Sequence, residues 1–275
     1  MKYRTIDISK SSFLQTYIHS IYEIKTFDEE YVYNCIPNGL IGMSFQTRGD
    51  SFYWNDNEWV DIPKACMFGL IKKSTTVKMS KQACEISIGF HPVVLSSFLN
   101  IPISEISSVF SDLRLSFPQD KISTFVDKIQ CNSSDEILIN SIEQFLSEQL
   151  KYSIDSQMLF AYHSIKLLET NKVPFLANDL NVSIRTLTNK FNQKIGLSPK
   201  ELMKLSRINK SLEANLTDTD TLTELAYKLG YYDQSHFIHE FKEAIQISPL
   251  KYFNNKTMIA DFYNFGRITS NNFEP

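Results

Sequence analysis

Residues 176–199, LANDLNVSIRTLTNKFNQKIGLSP, decide the fold of this chain because residues 225–249, LAYKLGYYDQSHFIHEFKEAIQISP, repeat them. Both stretches open with Leu-Ala, close with Ser-Pro and carry a pair of apolar residues four positions apart. These pairs are Leu187 with Phe191 and Phe237 with Phe241. The second stretch has one extra residue between its two apolar segments, where a turn accommodates it. The repeat therefore predicts two equivalent structural units.

Each unit has the pattern of a short helix, a tight turn and a second helix. Ser183 and Asp233 precede the second helices and are candidate N-caps. In a helix-turn-helix motif the second helix lies in the major groove of DNA, so its outward face carries polar base-reading residues. Arg can bind guanine, and Asn or Gln adenine, through paired hydrogen bonds. The candidate DNA-binding residues are Arg185, Thr188, Asn189 and Lys190 in the first unit and Gln234, Ser235 and His239 in the second.

Residues 199–216 predict one long helix between the two units, with Pro199 in the first turn, where proline is favoured. Its apolar residues recur at intervals of three and four and form one stripe: Leu202, Leu205, Ile208, Leu212 and Leu216. Such a helix spans roughly 27 Å. Successive turns of the major groove lie about 34 Å apart, so with the thickness and tilt of the helices the two units can read neighbouring turns.

Residues 156–253 resemble the AraC/XylS family of transcription regulators, whose DNA-binding domain consists of two helix-turn-helix units joined by a central helix. The residues that match the family signature are Leu225-Ala226, Leu229-Gly230-Tyr231, Asp233, Ser235, Phe237, Phe241-Lys242, Ser248-Pro249 and Tyr252, with Arg207 in the linking helix. Two positions depart from the signature, because Gln246 replaces a glycine and Ser211 an alanine. The resemblance implies a DNA-binding domain over residues 153–254.

The two predicted recognition helices differ in charge. The first has Arg185, Lys190 and Lys194 and no acidic residue, whereas residues 233–244 hold Asp233, Glu240 and Glu243 against Lys242. We infer the hypothesis that the first unit contributes more to the affinity for DNA than the second. The alternative is that surface charges outside these helices determine the electrostatic attraction of the protein to DNA.

The N-terminal half has a different pattern. From 31 onward, short extended runs alternate with Pro, Gly and Asn turns, and residues 51–60 predict a hairpin. The predicted strands span residues 31–36, 40–47, 51–54, 58–62, 65–71, 75–79 and 85–90. Helices are predicted at 93–99, 103–110, 121–130 and 135–150, the last with Ile137, Ile142, Phe145, Leu146 and Leu150 on one face. Residues 1–30 fit either an edge strand or an N-terminal arm.

Short motifs of this half resemble a cupin-like, strand-rich sensor or dimerisation domain found in a subgroup of AraC-like regulators. They are Pro37-Asn38-Gly39, Phe68-Gly69, Gly89-Phe90-His91-Pro92, Phe98-Leu99 and Ile101-Pro102. The resemblance implies that the helices at 121–130 and 135–150 pack on the sensor domain and often mediate dimer contacts, while packing on their own domain is an equal alternative. Five aromatic residues are candidates to line a ligand pocket, with core packing as the alternative: Phe45, Trp54, Trp59, Phe68 and Phe90.

The composition argues against several other functions. The N-terminal half offers only His19 and His91 as histidine ligands, too few for a cupin-like metal enzyme. His236 and His239 are spaced like a metal pair but have no third ligand nearby in the sequence. The four cysteines, Cys35, Cys66, Cys84 and Cys131, form no CxxC pair, which predicts reduced, buried thiols. No catalytic residue, metal or cofactor is predicted.

The sequence thus predicts an α+β protein with three parts. Residues 1–152 form a cupin-like barrel or sandwich with helices, residues 153–254 an all-α DNA-binding domain, and residues 255–275 a C-terminal tail. We expect a cytoplasmic, sequence-specific regulator that binds double-stranded DNA and responds to a small molecule, without contact to a membrane. Further expected partners are a second copy of the chain and, for an activator, RNA polymerase. The alternatives are a constitutive regulator whose N-terminal domain only dimerises and, more distantly, a cupin-like metal enzyme fused to a DNA-binding domain.

Overall fold

The computed structural model describes residues 1–37, 39–106, 110–166, 172–213 and 221–254. The strands are β1 (Lys2–Thr5), β2 (Ile18–Lys25), β3 (Tyr31–Cys35), β4 (Ile41–Arg48), β5 (Ser51–Asn55), β6 (Glu58–Asp61), β7 (Ala65–Phe68), β8 (Thr75–Met79), β9 (Cys84–Phe90) and β10 (Phe110–Asp112). The helices of the N-terminal half are α1 (Ser12–Tyr17), α2 (Pro92–Leu95), α3 (Gln119–Lys128) and α4 (Asp135–Gln149). Single 3-10 turns span Ile103–Glu105 and Leu113–Leu115.

The strands form two antiparallel sheets. The larger sheet has six strands in the order β1-β2-β9-β4-β7-β10, and the smaller has four in the order β3-β8-β5-β6. The predicted hairpin is present, with Trp54 opposite Trp59 and Asp56 in the turn at φ 53. The predicted α+β class, with a strand-rich N-terminal part and a helical C-terminal part, is confirmed.

Both faces of the larger sheet are covered, which explains its nearly continuous burial. On β4, Met43 and Phe45 point toward the helices, where Phe45 lies against Phe125 of α3 at 4.8 Å between ring centroids. The opposite face packs on the smaller sheet through residues such as Tyr22 and Val77. Within the larger sheet, Gly42 leaves room for the ring of its cross-strand partner Phe68, since a Cβ at Gly42 would lie 2.2 Å from that ring.

Two predicted features of the N-terminal half are corrected by the structure. Residues 103–110 were expected to form a helix, but the described part is a single 3-10 turn, and Phe110 begins a strand that pairs with Phe68 of β7. Pairing with a sheet edge overrides the local helical pattern there. On α4 the apolar stripe runs through Leu138 rather than Ile137, which is 50% exposed. Residues 107–109 lie outside the described residues.

The C-terminal half is helical, with α5 (Ser156–Lys166), α6 (Val173–Asp179), α7 (Ile184–Ile195), α8 (Pro199–Glu213), α9 (Leu222–Lys228), α10 (Gln234–Ile245) and α11 (Pro249–Asn254). The predicted long helix is therefore α8, and its predicted end at Leu216 lies outside the described residues, as does the tail at 255–275. None of the helices that the structure describes has the length and apolar character required to cross a membrane.

Candidate nucleic-acid interface

The first helix-turn-helix unit consists of α6 and α7. Ser183 begins α7 as its N-cap, and its Oγ accepts a hydrogen bond of 3.0 Å from the backbone N–H of Thr186. Leu187 and Phe191 are fully buried, as predicted from the repeat. Gly196 ends the helix in the left-handed conformation at φ 83, which glycine adopts without steric cost.

The second unit consists of α9 and α10 and repeats this construction. Asp233 is the N-cap of α10 and accepts a hydrogen bond of 2.8 Å from the N–H of His236. Phe237 and Phe241 are fully buried. Gln246 occupies the position of Gly196 and has the same left-handed conformation at φ 69. The departure from the family glycine therefore changes the residue but not the shape of the turn.

The predicted DNA-binding residues of α7 differ in their exposure to solvent. Arg185 and Asn189, one helical turn apart, are exposed. Thr188 is half-buried and its hydroxyl donates a hydrogen bond of 2.8 Å to the carbonyl of Ile184, while Lys190 is also half-buried. Arg185 and Asn189 are therefore the most accessible members of this set.

On α10, Ser235 and His239 occupy the positions that correspond to Arg185 and Asn189, and both are exposed. Gln234 is half-buried, and its Oε1 accepts a hydrogen bond of 2.9 Å from the hydroxyl of Thr223 on α9. The amide oxygen of Gln234 thus already has a partner within the protein. The Nε2 of His236 lies 3.2 Å from a carboxylate oxygen of Glu240.

The acidic residues of α10 face the linking helix and not the solvent side that carries Ser235. Glu240 accepts a hydrogen bond of 3.1 Å from Arg207 of α8, and the Arg207 guanidinium stacks over the Tyr231 ring at 4.8 Å. Glu243 pairs with Lys204 at 2.6 Å, and this hydrogen bond lowers the pKa of the Glu243 carboxyl. The charge difference between the two recognition helices is therefore smaller in the fold than in the sequence.

The N-terminal domain contacts the carboxyl ends of both recognition helices. The N–H of Ser74 donates a hydrogen bond of 2.7 Å to the carbonyl of Ala244, at the end of α10. At the end of α7, a Cβ added to Gly196 would lie 2.8 Å from Cγ2 of Ile103. Ile36 belongs to the buried core of the second unit. These contacts leave the amino-terminal halves of α7 and α10 to the solvent.

A group of basic side chains lies where the N-terminal domain meets α5. The ring centroid of His91 lies 5.6 Å from that of His19 and 6.2 Å from that of His163. Burial, together with His19, His163 and Lys166, lowers the pKa of His91 to about 4. Burial also lowers the pKa of His19. The neutral form of His91 is therefore the one that this contact favours.

The structure does not bring the five candidate ligand-binding aromatic residues together. Phe68 lines a cavity of ≈ 20 Å³ between the sheets, about the space of one ordered water. Phe45 and Phe90 are fully buried on the other face of the larger sheet. Trp54 and Trp59 pair on the outside of the hairpin, 42% and 36% exposed. Glu85 also lines the cavity. It is a buried acidic residue that the sequence pattern did not identify as a candidate.

One group of side chains combines potential metal ligands: the ligand atoms of Glu23, Cys84 and Cys131 lie within 4.8 Å of one another. Cys35, Cys66 and Cys84 are buried as predicted, whereas Cys131 is half-exposed. The sequence could not reveal this group, because its members come from β2, β9 and the connection between α3 and α4.

Comparisons with known proteins agree with the described geometry. Residues 176–255 match the family model of a helix-turn-helix domain, and residues 8–110 match a domain of unknown function, DUF6597. The transcriptional activator RhaS of Escherichia coli O1:K1 is 30% identical over 74 residues, which are 27% of this chain and 27% of RhaS. RhaS of Citrobacter koseri is 28% identical over the same share of each chain. The match thus spans about a quarter of the length of these relatives.

Solved structures with similarity include ToxT of Vibrio cholerae, 14% identical, with 92% of this chain and 98% of that chain covered at a TM-score of 0.46. The C-terminal domain of AraT, a response regulator from Geobacillus stearothermophilus, is 27% identical and covers 39% of this chain and 89% of its own at a TM-score of 0.34. The helix-turn-helix match begins within α6 and extends through α11. Residues 176–255 of this chain form a helix-turn-helix domain, and the chain is similar over 74 residues to the transcriptional activator RhaS.

Proposed function

We propose that the chain recognises a specific double-stranded DNA sequence by placing α7 and α10 in two successive segments of the major groove. The observation that carries this proposal is the exposure of Arg185 with Asn189 and of Ser235 with His239, all on the amino-terminal halves of their helices. In helix-turn-helix complexes this half of the recognition helix meets the base edges. We propose from the helix-turn-helix match that the chain is a DNA-binding regulator and not an enzyme.

The side chains suit different contacts. Arg185 can bind the two acceptors of guanine and Asn189 the donor and acceptor of adenine. Thr188 and Lys190 lie closer to the protein and are suited to the sugar-phosphate backbone. On α10, Ser235 and His239 are the proposed base contacts, and Gln234 contributes through its amide nitrogen. Because DNA is the ligand, the cytoplasm is the compartment that we propose.

The first test uses an operator selected from a random DNA library with the full chain. Arg185→Ala should weaken binding to this operator by about 1–3 kcal/mol, roughly 5-fold to 150-fold, and relax specificity at one base pair. Arg48→Ala is the charge-matched control, because Arg48 is exposed on the N-terminal domain. Unchanged affinity of Arg185→Ala at fixed salt would show that α7 does not read the DNA as proposed.

The same titration tests the inequality of the two units. We propose that Arg185→Ala weakens binding more than Gln234→Ala does, since α7 carries the local basic charge and Gln234 is held by Thr223. The pairing of Glu240 and Glu243 with α8 makes the expected difference smaller than the sequence alone suggests. Equal losses in the two variants would contradict this inequality.

We also propose that a small molecule acts on the N-terminal domain, by separating the sheets beside Phe68. The second candidate is a constitutive regulator whose N-terminal domain only dimerises, and the small size of the cavity, ≈ 20 Å³, favours it. Thermal unfolding against a metabolite library discriminates between them, because a specific ligand raises the melting temperature by mass action. Proposed further partners are a second copy of the chain and, where the outcome is activation, RNA polymerase.

A further inference from the structure

Two cysteines that are distant in sequence meet at one edge of the sandwich. Cys84 is the first residue of β9, and Cys131 lies in the connection between α3 and α4. Their sulfur atoms lie within 4.8 Å of each other. The connection is held over the sheet, because the N–H of Asn132 donates a hydrogen bond of 2.8 Å to Glu23 on β2.

The neighbouring charges do not favour a metal ion at this place. The Glu23 carboxylate accepts a hydrogen bond of 2.6 Å from Arg4 and pairs with Lys25 at 2.7 Å. A divalent cation would have to displace these two positive groups or bind beside them, and both arrangements cost Coulomb energy. The two thiols, and not the Glu23 carboxylate, are therefore the groups that can react at this place.

The two thiols differ in access to solvent. Cys84 is fully buried, and burial raises its pKa to about 12, with the adjacent Cys131 adding to the effect. Cys131 is half-exposed. The thiolate is the nucleophile in thiol chemistry, so the accessible Cys131 reacts first with an external oxidant, and Cys84 reacts second from within contact distance. Cys35 and Cys66 are buried, and burial raises the pKa of each thiol further.

We propose that Cys84 and Cys131 form a reversible intramolecular disulfide, which makes this edge of the N-terminal domain a site of thiol oxidation. With glutathione disulfide as oxidant, the Cys131 thiolate attacks one sulfur, forms a mixed disulfide and releases one glutathione. The Cys84 thiolate then attacks the Cys131 sulfur and releases the second glutathione. The two protein thiols lose two electrons and two protons, and one glutathione disulfide becomes two glutathione molecules.

The disulfide joins β9 to the connection between α3 and α4. The sulfurs must approach to about 2.05 Å, and the short connection is the part that moves. The carboxyl end of β9 leads through His91 to α2, where Val93 packs in the core of the first helix-turn-helix unit. Oxidation therefore cross-links the strand that leads into the DNA-binding domain, and closure of the loop raises the melting temperature by several degrees.

The test incubates the purified full chain with defined ratios of glutathione disulfide to glutathione, unfolds it in denaturant at low pH to stop exchange, blocks all free thiols with N-ethylmaleimide after neutralisation and measures intact mass. We expect a species lighter by two hydrogen atoms, with two fewer blocked thiols, and peptide mapping that links Cys84 to Cys131. Dithiothreitol should reverse both changes. Cys84→Ser should instead accumulate the mixed disulfide at Cys131, and Cys131→Ser should form neither product.

Cys35→Ser is the matched control and should behave like the unaltered chain. The proposal is overturned if the unaltered chain stops at the mixed disulfide, if Cys131 stays unmodified, or if the mapped link joins other cysteines. A parallel titration with zinc ion covers the metal alternative. Protection of the accessible Cys131 from N-ethylmaleimide by equimolar zinc, with the protection lost in Cys84→Ser, would assign a metal site and overturn the disulfide.

Discussion

Acidification should destabilise this protein through His91, at the contact between the N-terminal domain and α5. The unfolded chain binds a proton at this residue below its ordinary pKa of 6.5, whereas the folded chain binds it only below about 4. Between these pH values the unfolded state binds more protons than the folded state, so the free energy of unfolding falls as the pH is lowered. The stabilising contribution of neutral His91 is fully present above pH 6.5. The sign follows first from burial and then from the Coulomb effects of His19, His163 and Lys166 on the protonated ring.

The magnitude follows from the same pKa values. The full difference is worth about 3 kcal/mol at about 1.36 kcal/mol for each pH unit. At pH 5 the loss is incomplete, and solvent screens the half-buried ring, so we expect a decrease in unfolding free energy of about 1–2 kcal/mol relative to pH 7.5. For a chain of this size the melting temperature should fall by about 2–8 °C.

The assay compares thermal unfolding at pH 7.5 and pH 5 for the unaltered chain, His91→Gln and His239→Gln. Glutamine stays neutral, so His91→Gln should show the smaller pH dependence. His239 is exposed on α10, and its replacement should leave the pH dependence as it was. The same pH dependence in His91→Gln and in the unaltered chain would refute the reasoning.

Two further predictions concern the recognition helices. Gln246→Gly should stabilise the protein by about 0.5–1 kcal/mol in chemical denaturation, because it removes a side chain from a left-handed conformation at φ 69. The reciprocal Gly196→Ala should destabilise the protein, because the added Cβ would also meet Ile103. A loss of stability in Gln246→Gly would contradict this reasoning. Ile36→Ala should cost about 2–5 kcal/mol, since Ile36 is 2% exposed, and hydrogen exchange should show weaker protection of α10 than of α7. Equal loss of protection in both helices would argue against the assignment of Ile36 to the second unit.

The DNA-binding half could be predicted almost entirely from the sequence because its signals are local. Ser183 and Asp233 each cap a helix whose buried residues follow at helical spacing, and the repeat shows the same arrangement twice. Caps and spacing act within a few residues, so they are readable without knowledge of the fold. The division of the chain at residue 152 stays a prediction.

The missed features depend on contacts between distant parts of the chain. The acidic residues Glu240 and Glu243 read as a charged surface in sequence, but α8 supplies Arg207 and Lys204 as their partners. Residues 1–30 showed no firm period because β2 is buried on both faces, so that neither alternation nor a polar side marks it. The aromatic candidates failed to converge because Phe45 and Phe90 lie on one buried face of the larger sheet, Phe68 lines the cavity between the sheets, and Trp54 and Trp59 lie on the exposed hairpin.

The position of Ile36 bears on how such regulators can be recombined. Part of the core beneath α10 is supplied by the other half of the chain, and the hydrogen bond from Ser74 to Ala244 closes the end of that helix. A chimaera that joins this DNA-binding half to a foreign sensor would therefore leave a hole under its second recognition helix, unless the donor brings an apolar residue in the place of Ile36. Such exchanges will keep operator recognition only when the donor supplies that surface.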